Sequence, residues 1–283
     1  VPRGGQLRRP PAQQSIRPRV MHQDPHAVHE QIALELWNAK NERKAIPSIS
    51  ARYPEFTALD AYAIQRTFRT LEYKNGAVHA GYKIGATSVS IQEMFGVDQP
   101  DFGFLTEGML LADGACLDPA WFISPKVEGE IAFRIGADLS DPRTTAADVL
   151  KVTTEVHPAL EVLDSRIKNW DIAWVDTVAD NASSAMAVLG EAVPFDGRDL
   201  AAETMVFESG DCVQTANGSA VMGHPAESVA CLVRILASFG AGISAGDLVM
   251  SGSLAAAADL GPGAVVRASF ESLGSVSLST SSN

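Results

Sequence analysis

The chain has 283 residues, 46% apolar and 20% charged, enough to bury a sizeable core, which excludes disordered and fibrous architectures. It carries 34 acidic against 22 basic side chains, and because five of the basic ones fall in residues 1–20, the remaining 21–283 has a formal charge of −17. Such a surface repels nucleic acid and anionic membranes, and no apolar stretch is read as a membrane span or signal peptide, so no nucleic-acid or membrane partner and a cytoplasmic location are expected.

Residues 1–20, with five Arg, four Pro and an opening Val-Pro-Arg-Gly, are read as a tag remnant or disordered segment. Residues 21–283 show no internal repeat and no linker and are read as one domain, helical over 21–76 and β-rich over 77–283. Val28, Ile32, Leu36 and Ala39 recur at helical spacing, as do Ala61, Ile64, Phe68 and Leu71, the second set preceded by Thr57 and Asp60 as a capping box. Pro47 and Pro54 mark a loop between them. From Gly76 to about Asp138 the pattern is of short strands punctuated by Gly, Pro and Asp, with a short helical piece near Ser88–Phe95. A third long helix carries Val229, Leu232, Val233 and Leu236, entered through Pro225 and stopped by Gly240. Strand-like alternation returns from Asp247.

Several chemistries are set aside. Cys116, Cys212 and Cys231 are isolated, which argues against a disulfide framework and structural zinc. Three of six His lie near the N-terminus (His22, His26, His29), and the others have no nucleophile setting, so His-dependent hydrolysis has little support. Gly240–Ala245 fits a dinucleotide fingerprint but follows a helix and precedes a strand, the reverse of what that loop requires; it reads as a helix stop.

Two segments carry chemistry. In Val127–Ile135, Val127, Ile131, Phe133 and Ile135 share one strand parity and Glu128, Glu130 and Arg134 the other. Glu128 and Glu130 therefore project side by side, their Cα atoms roughly 6.5 Å apart. Either this is an exposed polar face, or the two carboxylates share a purpose. In His157–Ile167, Glu161 sits inside the apolar run Ala159, Leu160, Val162, Leu163, where a lone carboxylate is driven toward neutrality unless a cation meets it. One reading pairs it with Arg166 or Arg134. The other converges it with Glu128 and Glu130 into a hard oxygen site suited to magnesium or manganese, with positions left for water and substrate.

Six ordered motifs bear on the choice: Gly81-Tyr-Lys-Ile-Gly85, Gly96-Val-Asp-Gln-Pro-Asp-Phe-Gly103, Val127-Glu-Gly-Glu-Ile131, Pro158-Ala-Leu-Glu-Val-Leu-Asp-Ser-Arg166, Val175-Asp-Thr-Val-Ala-Asp-Asn-Ala-Ser183 and Gly246-Asp-Leu-Val-Met-Ser-Gly-Ser253. With them, nearly all of 21–283 resembles the fumarylacetoacetate hydrolase superfamily, in its 2-keto-4-pentenoate hydratase and 4-oxalocrotonate decarboxylase branch. The resemblance implies an α+β fold, a β-rich roll or barrel behind a small helical N-terminal part, making 77–283 the metal-binding core of a single catalytic domain. It implies Glu128, Glu130 and Glu161 as ligands of Mg2+ or Mn2+, which chelates a 2-oxo acid and acts as a Lewis acid. It also implies Lys83 as a catalytic residue, with Asp101 its partner in moving protons. Ser251 and Ser253, at the end of a strand beside Gly252, are candidates for holding the substrate carboxylate, with a plain turn the alternative for either. Asp176, Asp180 and Asn181 are read as capping residues and left out of the site.

The activity implied is a hydratase adding water to 2-hydroxypenta-2,4-dienoate, or a close homologue, to give a 4-hydroxy-2-oxo acid in aromatic catabolism. The alternatives are 4-oxalocrotonate decarboxylase, then an acylpyruvate hydrolase, then an inactive binding subunit of a pathway complex. A decarboxylase substrate carries a second carboxylate, and beyond Lys83 the motifs contribute only Arg166 and the neighbouring Arg134, which favours a monocarboxylate, with Lys126 or an Arg of another subunit as the alternative source of a cation. The partners expected are that small 2-oxo or 2-hydroxy-dienoic acid, further copies of the chain in a homo-oligomer, and a neighbouring pathway enzyme.

Overall fold

The computed structural model describes residues 24–88, 92–93, 96–97 and 99–282. The segment read as a tag lies outside them, as does most of the helical piece expected near Ser88–Phe95, of which Gln92 and Glu93 are helical.

Helix α1 (Pro25–Glu42) starts where the Asp24 carboxylate accepts the His26 N–H and Pro25 supplies a helical φ without needing its own N–H; it stops at Arg43, whose left-handed backbone returns an N–H to Ala39 O. It buries Val28, Ile32, Leu36 and Ala39, the set expected from the spacing, and Ala33 beside them. The loop bounded by Pro47 and Pro54 contains a single turn, α2 (Ile49–Arg52), that the sequence did not predict. Helix α3 (Ala58–Lys74) opens with the Asp60 carboxylate accepting both the Thr57 N–H (2.8 Å) and the Thr57 hydroxyl (2.7 Å). It packs on α1, reinforced by Lys40 and Glu72 at 2.7 Å.

The strands follow as β1 (His79–Gly85), β2 (Asp101–Thr106), β3 (Leu110–Ala112), β4 (Ala115–Leu117), β5 (Pro125–Ile135), β6 (Thr153–Asp164), β7 (Ser184–Leu189), β8 (Val193–Pro194), β9 (Thr204–Ser209), β10 (Cys212–Asn217), β11 (Leu248–Ser253), β12 (Ala258–Asp259), β13 (Val265–Phe270) and β14 (Gly274–Thr280). A mixed sheet runs β2-β1-β11-β5-β6-β7-β3, with β12 beside β5 and β8 beside β6; a second sheet runs β10-β9-β13-β14-β4. The architecture is α+β.

Strand β5 shows how the two layers meet. Its odd face, with Val127, Ile131, Phe133 and Ile135 fully buried, is turned to the second sheet: a Cβ on Gly129 would lie 2.5 Å from Met205 Sδ and 3.2 Å from Phe207 Cδ2 of β9. Its even face looks into a concavity. There Leu105 of β2 and Ala187 of β7, from opposite flanks of the strand order, share an apolar cluster with Met109, Ala132, Ala159, Leu248 and Met250, so the larger sheet curls over that side. The reading of the glutamate face as an exposed polar surface is thus corrected, because curvature buries Glu130 fully and leaves Glu128 half-buried.

The helix Pro225–Ser238 packs Val229, Leu232, Val233 and Leu236 into the core and ends at Gly240 (φ +70°), with the Ala241 N–H bonded to Leu236 O. Contrary to the expectation that no stretch qualifies, Gly218–Ser238 matches a membrane span by length and composition. Only 14 of its residues form the α-helix, fewer than the roughly 20 needed to cross a bilayer, and half of the window is buried inside the fold.

Candidate active site

Strand register assembles the acidic cluster. Glu128 and Glu130 lie two apart on β5, and antiparallel pairing of β5 with β6 sets Glu161 directly opposite Glu128. Like charges in opposing cross-strand positions repel. Yet one oxygen from each of Glu128, Glu130 and Glu161 lies within 4.8 Å of the others, close to the roughly 4–5 Å that two oxygens span across one hard cation. Glu130 and Glu161 are fully buried. Glu130 Oε2 accepts the Gly252 N–H at 2.9 Å, whereas Glu130 Oε1 and both Glu161 oxygens receive no hydrogen bond. Burial, then the charge of Glu161, pushes the Glu128 carboxyl up to about 7. Burial and the other two glutamates raise Glu130 well above the carboxylate range. Burial raises Glu161 as well, against the pull of Lys83.

Lys83 reaches the cluster from β1, its Nζ 3.4 Å from Glu161 Oε2. Burial alone would lower this ammonium, but Glu161, Asp101, Glu128 and Glu130 together hold it above the ordinary lysine range. Asp101 joins through the pairing of β1 with β2, where Gly85 faces Asp101 and Lys83 faces Gly103. A Cβ on Gly85 would sit 2.5 Å from Asp101 Oδ1 and 3.0 Å from Lys83 Nζ, so the missing side chain is the space in which the two groups approach. The Asp101 carboxylate accepts the Thr177 hydroxyl at 3.1 Å, and burial lifts its pKa against the pull of Lys83 and Thr177.

Four carboxyl groups thus face one ammonium. The orphaned oxygens, the all-oxygen donor set and the surplus negative charge fit a divalent hard cation held by Glu128, Glu130 and Glu161. The arginine pairing left open for Glu161 does not form: Arg166 is bound to Asp180, Asp164 O and Ser184 O, and Arg134 donates to Gly246 O.

A cavity of about 580 Å³ opens over this cluster. Lys83, Asp101, Glu128, Thr177 and Ser253 line it together with Trp170, Ile172, Leu163, Leu254 and Ala255–Ala257. The two candidate serines separate. A register shift between Met250 and Ser253 of β11 brings Ser253 opposite Glu130 and into the cavity wall, where its hydroxyl donates to Ala255 O. Ser251 is not in that wall; its buried hydroxyl donates to Ile131 O at 2.7 Å. Thr177 and Trp170 were missed from sequence, although Thr177 stands inside the Val175–Ser183 motif. Its neighbours there are structural: Asp176 accepts the N–H groups of Ile49, Ser50 and Ala173, Asp180 holds Arg166, and the Asn181 amide bridges the N–H and C=O of Phe104.

The cluster's charge has a measurable consequence. Because the raised Glu130 pKa means that its charged form costs stability, Glu130→Gln, which can still accept the Gly252 N–H, is expected to raise the melting temperature of metal-free protein at pH 8 by about 2–4 °C. The gain fades as pH falls from the raised native pKa of Glu130 toward the ordinary carboxylate range, where the unfolded chain takes up the proton as well and charging Glu130 no longer penalises the native state. A lower melting temperature for the variant at pH 8 would show that the cluster is not electrostatically strained.

Residues 79–279 match the family model described as "Fumarylacetoacetate (FAA) hydrolase C-terminal". The chain belongs to the fumarylacetoacetate hydrolase family. Within the family it is similar to a 2-hydroxyhexa-2,4-dienoate hydratase of Comamonas testosteroni, 43% identical over 224 residues that cover 78% of this chain and 85% of that one. It is 39% identical over 254 residues to a 2-keto-4-pentenoate hydratase of Paraburkholderia phymatum, covering 89% and 97%. Among solved structures, the 4-oxalocrotonate decarboxylase of Pseudomonas putida G7, complexed with magnesium and adipate, superimposes with a TM-score of 0.87 at 34% identity, over 90% of this chain and 97% of that one. The fumarylacetoacetate hydrolase fold is therefore the one this chain adopts.

Proposed function

We propose that this family member is a metal-dependent hydro-lyase that adds water to 2-hydroxypenta-2,4-dienoate or a close homologue, with Glu128, Glu130 and Glu161 holding magnesium or manganese. The observation that carries this is the convergence of two fully buried, under-partnered carboxylates, Glu130 and Glu161, with the half-buried Glu128 beside Lys83 in a cavity whose remaining wall is largely apolar. The hydratase names of its relatives support the same reaction. A divalent ion held by Glu128, Glu130 and Glu161 would supply a Lewis acid for the 2-oxo acid group of the substrate.

The chain's own groups do the rest. The reaction moves the 2-hydroxyl proton away while C5 gains one, leaving 2-oxopent-3-enoate with an electrophilic C4; water then places its oxygen on C4 and a proton on C3. Lys83, held protonated, balances negative charge on the substrate oxygens and donates protons, and Asp101 accepts them. The apolar wall of Leu163, Ile172 and Leu254 accommodates the hydrocarbon end of the substrate and excludes bulk water, which strengthens both electrostatic effects.

A monocarboxylate suits this cavity better than 4-oxalocrotonate, whose distal carboxylate calls for a cation. Among the described lining residues the cations are Lys83 and Lys126, and Lys126 Nζ is 2.6 Å from Asp259 Oδ1 while lying 5.6 Å from the centre of the Trp170 ring. Arg134 and Arg166 are committed elsewhere. With magnesium present, a paired product assay is expected to show 2-hydroxypenta-2,4-dienoate consumed to a 4-hydroxy-2-oxo acid without carbon dioxide. Rapid carbon dioxide release from 4-oxalocrotonate, with negligible hydration of the dienoate, reverses the assignment to decarboxylase.

A further inference from the structure

Asp101 and the hydroxyl that orients it come from different parts of the chain. Asp101 opens β2, whereas Thr177 lies in the short helix Trp174–Ala179. The 3.1 Å bond between them requires these two segments to keep a fixed distance. One side chain bonds to both segments. Gln65 of α3, only 5% exposed, donates its amide to Phe102 O at 2.7 Å and to Val178 O at 2.9 Å, the carbonyls of the residues immediately after Asp101 and Thr177. A primary amide has two N–H donors at a fixed angle, and here both are spent on one carbonyl from each segment. The neighbouring α3 residue Tyr62 repeats the arrangement with its ring, stacking on Phe102 (4.6 Å between centroids) and meeting Trp174 edge-on (6.0 Å).

We propose that Thr177 and Gln65 are positioning residues that set the orientation of the Asp101 carboxylate beside Lys83, so that α3, which lies outside the segment matched by the family model, is part of the catalytic apparatus. The proposal rests on the reading of Asp101 as a proton acceptor. Thr177 acts on the carboxylate directly, and Gln65 acts one step further back, by holding the two backbones between which that hydrogen bond forms. Neither is needed to hold the cation, since Glu128, Glu130 and Glu161 stand on β5 and β6. A misplaced catalytic group is penalised in turnover rather than in ground-state binding.

The test uses the full chain with saturating magnesium and 2-hydroxypenta-2,4-dienoate, below the melting temperature of every variant. Thr177→Val, which keeps the shape and removes the hydroxyl, is expected to lower kcat by about 10- to 100-fold while KM and magnesium affinity change less than about threefold. Thr177→Ser is expected to recover most of the loss. Gln65→Met is expected to lower kcat comparably, and the Thr177→Val/Gln65→Met double variant to be little worse than the poorer single one, because both act through Asp101. Adding Thr177→Val to Asp101→Asn is expected to cost nothing further. Retention of kcat within about twofold by Thr177→Val, or full additivity of Thr177→Val with Asp101→Asn, overturns the proposal, and the Thr177 arms decide it even where Gln65→Met does not fold. Normal turnover in Asp101→Asn is a different failure, which removes the reading of Asp101 itself.

Discussion

Stripping divalent metal with a chelator is expected to abolish dienoate hydration, and added magnesium or manganese to restore it. The reason is electrostatic as much as chemical. Without a cation, burial pushes all three carboxyl groups upward, and repulsion from neighbouring glutamate charge adds to the rise of Glu128 and Glu130, with Lys83 as their nearest positive charge. A dication relieves that repulsion, so binding stabilises the fold as well as creating activity. At a free concentration of 100 times its Kd it contributes about 2.7 kcal/mol. For a domain of this size that corresponds to a rise in melting temperature of roughly 5–10 °C. Glu128→Gln, Glu130→Gln and Glu161→Gln should each weaken metal binding by calorimetry and shrink that thermal shift. Full activity in thoroughly metal-free protein would sink the assignment, and unchanged metal affinity in all three variants would remove the site.

Lys83→Ala is expected to reduce kcat by about 10²- to 10⁴-fold, the range for loss of a positioned proton-transfer group. Its effect on metal binding should run the other way. The ammonium lies 3.4 Å from a proposed ligand oxygen and repels an incoming cation, so its removal leaves metal affinity equal or tighter. That opposition separates a catalytic role from a ligand-holding one, since loss of a group that merely braced Glu161 would weaken metal binding and turnover together. Lys83→Met, closer in shape, guards against a packing defect at this buried position. A kcat within tenfold of the unaltered protein would exclude the proton-handling role.

Sequence patterning carried some of these features and not others, for reasons visible in individual residues. The helical faces of α1 and α3 were legible because Val28, Ile32, Leu36 and Ala61, Ile64, Phe68 repeat with the period of the helix itself. The four-residue α2 was not, since Asp176 accepts the N–H groups of Ile49 and Ser50 from 126–127 residues away, and local propensity contains no trace of such a bond. The same limit hid the roles of Thr177 and Gln65, which have meaning only once β2, α3 and the helix Trp174–Ala179 are side by side.

What the sequence by itself determined is the shared side of Glu128 and Glu130, because strand alternation is a property of covalent geometry, together with the apolar setting of Glu161 and, through six ordered motifs, the family. What only the tertiary structure decided is how these groups meet. Register sets Glu161 opposite Glu128, curvature turns their face inward, and the missing side chain at Gly85 admits Lys83 and Asp101 to the same space. A register shift in β11 likewise brings Ser253 rather than Ser251 to the cavity, a distinction that two serines of equal parity cannot express in sequence. Each of these depends on pairing between segments far apart in the chain, and long-range register is fixed by the whole packed sheet rather than by the residues it aligns.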